Sequence, residues 1–459
     1  MLSHKEKPMT VAHTLATFLT QTSYADLPPQ TIEHAAMLIA STLASAALGS
    51  GISSAAIIRD LAREQGGVAE SAVWFDAGPR LPVAEAARVN AVMSDAAASD
   101  DSDLRNIVHT GTTLVSTTLA LAERTGASGQ DVLTAIVLGY EAAGRIGEAV
   151  TPGLRTRGFH GCIVAIFGGA VAAGRLLGLD AEALAQAIAL SATSMGGLMA
   201  AANTSVAREY HAGLAALLGL QAARAAQRGY TAEASILETH QGFCAVYGGT
   251  DGASVTRDLG QSWDIITDMA IKLVPGGHPH HALAEAAANA AREGHILPDE
   301  VESITLSRPG VTALAGPHHP TDLIGMAHSP AYFLAAGVAD RDFSWVHATA
   351  AKITNPVIQQ LITRVRVGAQ PTEHIEQYRQ GATVTIQTKD GRTVSNTVYV
   401  PRGAGARGIA WADVDAKYHT LMPHAGVSAQ QIASSLQVIH DFRRVSHVSA
   451  LLTLLQRRV

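Results

Sequence analysis

Four stretches of this chain set histidine beside glycine, proline or acid, in settings suited to moving a proton next to a bound anion. The first is Ser99-Asp100-Asp101-Ser102-Asp103, followed by His109-Thr110-Gly111. The second is Arg157-Gly158-Phe159-His160-Gly161, and the third Arg208-Glu209-Tyr210-His211-Ala212-Gly213. The fourth runs from Lys272 through Pro275-Gly276-Gly277-His278-Pro279-His280-His281 into an Ala-rich stretch. In three of them the histidine falls at an expected helix entrance, where backbone N–H groups and the dipole favour an anion. Imidazole titrates near neutrality and relays protons. Arg208 offers a carboxylate a bidentate fork and Lys272 a point charge. Asp100 or Asp101 can orient a histidine and set its tautomer.

Each stretch also has a blander reading. Asp100–Asp103 alone would serve to cap and solvate a loop, and a lone His160 to make a structural hydrogen bond. His318-His319, between Pro317 and Pro320, reads as exposed loop. His278, His280 and His281 suggest metal ligands, but no nearby carboxylate or cysteine completes the set, so no metal is expected. A Gly-x-Gly-x-x-Gly turn and a Gly-Lys-Ser/Thr loop are both missing, which argues against nucleotide cofactors. Gly168-Gly169 and the Gly174/Gly178 spacing lie in an apolar helix, where small residues permit close packing.

These residues need elements to hold them. From about Thr10 to Ser262 the pattern is helix after helix. Helices are expected over Thr31–Ser50, Gly111–Thr125 with a stop at Gly126, and Ser128–Val150 with Ser128 as N-cap. Others follow over Cys162–Leu177, Asp180 to about Ala201, and His211–Arg228. After about Asp264 the composition changes. Val301–Ser307 and Arg364–Val367 read as strands, and Thr383–Thr388 with Thr393–Val400 as a hairpin turning at Asp390-Gly391. Ser428–Arg458 returns to helix. The fold class expected is therefore mostly α, with a helical domain over 1–264 and 404–459 and an inserted α+β domain over 265–403.

The totals narrow the functions. With 459 residues, 47% apolar and 16% charged, the chain can bury a large core. Its net charge of −6 argues against broad nucleic-acid binding, so any anion site must be local. Cys162 and Cys244 are the only cysteines, which favours a reducing, cytoplasmic setting. Residues 1–8 carry no secretory signal, and no stretch combines spanning length with absence of polar residues.

In order, Gly126-Ala127-Ser128-Gly129, Gly139-Tyr140-Glu141, Arg145-Ile146-Gly147, Gly158-Phe159-His160, Gly174-Arg175-Leu176-Leu177-Gly178-Leu179, His211-Ala212-Gly213 and Ile271-Lys272 form a specific series. His328-Ser329 with Tyr332 adds a weaker match. Through these motifs the chain resembles the MmgE/PrpD family from about Thr14 to Leu455. That family includes 2-methylcitrate dehydratases, cis-aconitate decarboxylases and an iminodisuccinate epimerase. The resemblance implies a large all-helical domain, a smaller α+β lid, a cleft between them, a homodimer, and chemistry without metal or organic cofactor.

On matching positions it implies catalytic roles for His109, His160, Tyr332, Asp100 and Asp101. It implies substrate contacts from Lys272, Arg208, His281, His278 and Ser102. Arg208 stands where relatives often have lysine. The family's acidic motif usually reads Asp-Phe-Asp-Asp-Thr; here Ala98-Ser99-Asp100-Asp101-Ser102 lacks its first aspartate, and the segment to His109 is one residue longer. The leading expectation is a 2-methylcitrate dehydratase-like hydro-lyase acting on a small polycarboxylate, with His109 or His160 as base. Decarboxylation and epimerisation are the alternatives within the family, since all three build carbanion-like charge. A metal-dependent hydrolase or a non-catalytic helical binding protein are the alternatives outside it.

Overall fold

The computed structural model describes residues 9–194 and 196–457. Residues 1–8, read above for a secretory signal, and Arg458 lie outside the described residues. The chain divides into two compact units, one of residues 1–202, 207–269 and 415–459, the other of residues 203–206 and 270–414.

The first unit is helical. Its long helices are α1 (Pro29–Gly49), α2 (Val83–Ala96), α3 (Thr110–Thr125), α4 (Gly129–Val150), α5 (Cys162–Leu176) and α6 (Ala207–Gln227). Helix α5 is buried along every residue from Cys162 to Gly174, as a helix apolar all round must be. It packs against α3, α4 and α6. Glycine permits the closest approach: a Cβ on Gly139 would lie 2.8 Å from the Gly168 carbonyl oxygen, and one on Gly168 2.9 Å from that of Gly139. The α4 start is a capping box between Ser128 and Asp131, and α3 ends at Gly126 with φ 71°. Among the described residues one helix, α1, is long and apolar enough to cross a membrane, and most of it is buried inside the protein.

Two expected helices are interrupted. The run from Asp180 stops at Ala192 and resumes as Met199–Thr204, because Leu198 pairs with Phe159 in a β-bridge. The C-terminal run stops at His440, beyond which the Val445 carbonyl accepts the Gly129 N–H at 2.7 Å.

The second unit is α+β. Strands β1 (Val301–Ser307), β2 (Val365–Val367), β3 (Ala382–Thr388) and β4 (Thr393–Val398) form one sheet in the order β2-β1-β3-β4. The β1/β2 pair is parallel and the other two are antiparallel. Ile386 faces Val394 beside the hairpin turn, where Gly391 takes φ 90°. Helices α7 (His281–Glu293) and α8 (Pro330–Asp340) close the core over Ile304, Leu306, Val384 and Ile386.

Candidate functional site

The acidic segment leaves α2 through Ala98, whose φ is 51°. Two groups hold the Ser99 carbonyl: Lys417 Nζ donates to it at 2.5 Å and Ser45 Oγ at 2.7 Å. Every residue from Ser99 to Asp103 is buried, so this is no solvated loop. Asp101 Oδ2 accepts the Gly111 N–H at 3.0 Å and the Tyr140 hydroxyl at 3.3 Å. That places a carboxylate at the entrance of α3, where the dipole stabilises it. Asp101 therefore sets where α3 begins. Ser102 Oγ is buried with no hydrogen-bond partner among the described residues.

His109 is the N-cap residue of α3. Its Nδ1 lies 2.7 Å from Asp100 Oδ2 and 2.8 Å from the Asp101 carbonyl oxygen. Both neighbours can only accept, so Nδ1 carries the hydrogen and the basic lone pair belongs to Nε2. Between acid and histidine the chain closes on itself: Asp103 N–H donates to the Val108 carbonyl and Ile107 N–H to that of Asp103, each at 2.8 Å. Asp103 Oδ1 accepts the N–H groups of Arg105 and Asn106. The Arg105 guanidinium reaches Glu148, Asp264 and Asp268. Burial, reinforced by Asp268, pushes the Asp103 carboxyl up to about 7 despite those donors.

His160 is fixed by its backbone, which donates to the Gly197 carbonyl at 3.1 Å. Gly158, two residues before it, takes φ 85°, a region that favours glycine. The imidazoles of His109, His160 and His211 stand in a row, with ring centroids 6.3 Å and then 5.4 Å apart. Burial, then the neighbouring His109, His211, Arg208 and Arg155, hold His160 well below the usual histidine range, and burial also lowers His211. Both rings are neutral near pH 7. His160 Nδ1 lies 2.8 Å from Cys162 Sγ.

Arg208 is not poised as the sequence reading expected. Its Nε donates to Asp95 Oδ2 at 2.9 Å and one terminal nitrogen to the Asp95 carbonyl at 2.5 Å. Burial opposes its charge, but Asp95, Asp100 and Glu209 more than offset that. Much of its fork is thus committed within the protein. Asp95, Asp100 and His109 have donor atoms within 4.8 Å of one another, so a carboxylate arrives from α2 in a motif that lacks its leading aspartate. Sequence reasoning missed Asp95, which sits among apolar residues of a helix.

In the second unit Lys272 is buried and follows Ile271 directly. His278 and His281, both buried, place their rings 4.5 Å apart in a short turn entering α7. His280 packs against Phe333, and burial, then Arg308 and His328, push it down to about 3. Tyr332 does not stand as a proton donor. It is fully buried in the core beside Phe333 and Phe343, and its hydroxyl donates to the His347 carbonyl at 2.8 Å. Burial, then Asp340, push its ionisation far up.

The model of the MmgE/PrpD N-terminal domain matches residues 13–256, and that of the C-terminal domain residues 275–441. A human protein named cis-aconitate decarboxylase is 25% identical over 97% of this chain and 94% of its own. One of that name from Aspergillus terreus is 25% identical over 82% of each chain. A third, from mouse, is 27% identical over 72% of this chain and 70% of its own.

Proposed function

Because this chain belongs to the MmgE/PrpD family, we propose that it is a lyase that decarboxylates a small unsaturated tricarboxylate of the cis-aconitate kind, without a cofactor. The carrying observation is the Asp100–His109 pair, which presents a basic Nε2 beside two neutral imidazoles. The names of the relatives favour decarboxylation over the dehydration expected from sequence.

The chemistry asks for one proton. The bond to the departing carboxylate breaks and its electron pair forms a new C=C. The original π pair shifts to the carbon beside a remaining carboxylate, and that carbon takes the proton as carbon dioxide leaves. His109 is the assigned proton carrier. Asp100 stabilises its imidazolium and holds the ring in one tautomer, a division of labour known from other Asp–His pairs. Neutral His160 and His211 can donate hydrogen bonds to a substrate carboxylate without adding charge. Charge building in the transition state is met by these fixed donors. A homodimer, as in the resemblance, is part of the proposal.

Purified protein incubated with cis-aconitate should release carbon dioxide and yield an unsaturated dicarboxylate by mass analysis, undiminished by chelator. His109→Ala should lower kcat about 10²- to 10⁴-fold. Water loss from 2-methylcitrate, with no gas from any acid offered, would instead restore the dehydratase reading, which uses the same base. Turnover that vanishes on chelation would favour the metal-dependent hydrolase.

A further inference from the structure

We propose that His160 Nδ1, Cys162 Sγ and His211 Nδ1 form a binding site for a soft divalent cation of the zinc type, whose occupancy takes His160 out of use. This goes beyond the proposed reaction, and cation binding does not depend on it. The three donor atoms lie within 4.8 Å of one another, with Nδ1 to Sγ at 2.8 Å and Nδ1 to Nδ1 at 3.4 Å. Zinc bonds of ~2.0–2.3 Å at tetrahedral angles separate ligand atoms by roughly 3.3–3.8 Å. The pair of nitrogens meets that spacing as it stands, and the sulfur needs a shift of under about 1 Å.

Two imidazoles and a thiolate are a set that selects zinc or copper over magnesium or calcium. All three residues are buried. His160 and Cys162 come from the entrance of α5 and His211 from α6, so the ligands arrive on two rigid elements.

A second observation points the same way. Asp95 is buried, and its Oδ1 has no hydrogen-bond partner among the described residues. It supplies negative charge beside the donors and offsets that of Arg208. Three protein ligands leave a fourth position open, as in exchangeable rather than closed structural sites. On binding, the Cys162 S–H bond breaks, the sulfur pair bonds the cation and the proton leaves to solvent; nothing is oxidised or reduced.

The test is a cobalt(II) titration of the full-length, chelator-treated protein, followed by displacement with zinc. The expected result is one equivalent bound, with thiolate-to-cobalt charge-transfer absorption that zinc abolishes. Cys162→Ser and Cys162→Ala should each remove that absorption, and His211→Ala should weaken cobalt binding at least about tenfold. Cys244→Ala should change neither. Circular dichroism confirms that each variant is folded, and the serine variant preserves shape if alanine does not fold. No charge-transfer band in the wild-type protein, or a band that survives both Cys162 substitutions, overturns the proposal. Binding that persists without the band, and falls on substitution of Asp100, overturns it equally.

Discussion

Asp100→Asn keeps the shape of the side chain but can turn an amide N–H toward His109 Nδ1, 2.7 Å away in the native pair. That removes the charge which stabilises the imidazolium and fixes the neutral ring with its hydrogen on Nε2, so the ring no longer takes up and delivers a proton there. The expected outcome is a loss of about 10³–10⁴ in kcat with KM nearly unchanged, measured by steady-state kinetics. A rise in KM alone would show that Asp100 holds substrate and not the ring. Asp103 has a different consequence. The unfolded carboxyl titrates near 3.8 and the folded one near 7, so its contribution is full below about pH 4 and is lost as pH rises through 7. Asp103→Asn should therefore gain in Tm relative to wild type between pH 4 and pH 7. A Tm difference independent of pH would contradict this.

At the scale of the element, the approach of α4 to α5 decides where His160 and Cys162 stand. Alanine at Gly139 or at Gly168 drives a methyl group into the facing carbonyl. Each substitution should cost about 1–3 kcal/mol in urea denaturation, while Gly178→Ala tests backbone strain alone, since φ is 68° and open space surrounds it. Much of this level is legible in sequence. Ser128 caps α4, Gly126 ends α3 and Asp390-Gly391 turns the hairpin, each because one local backbone conformation suits one residue type. The break after Ala192 is not legible, because it serves a bridge to Phe159 remote in sequence. His109, Asp100 and His160 stand out because polar residues at helix entrances interrupt apolar patterning. Asp95 and Cys162 do not, since each falls inside a helix whose periodicity explains it as core. Tyr332 misleads for the same reason, as its hydroxyl is consumed by a neighbouring carbonyl.

Across the whole molecule, neutral histidines occur in both units, with buried His160 and His211 in one and half-buried His280 in the other. An unfolded histidine titrates near 6.5, whereas folded His280 titrates near 3. Its contribution is full above about pH 6.5 and is lost as pH falls toward 3. This slope opposes that of Asp103 between pH 4 and pH 6.5. His280→Leu should lose less Tm on acidification than wild type, and Asp103→Asn more. Identical acid profiles for the three proteins would show that neither group governs the slope.

The bridge that joins Asp103 to Val108 has a consequence for how this protein tolerates change. The intervening residues form a bight whose neck is tied before His109 is reached, so additions or deletions inside it need not swing the imidazole. Ile107, at φ 55°, sits in a conformation that costs a branched side chain about 1–2 kcal/mol. Length variation among homologous chains should therefore collect within this bight, with the residues on either side of the knot keeping constant bearing.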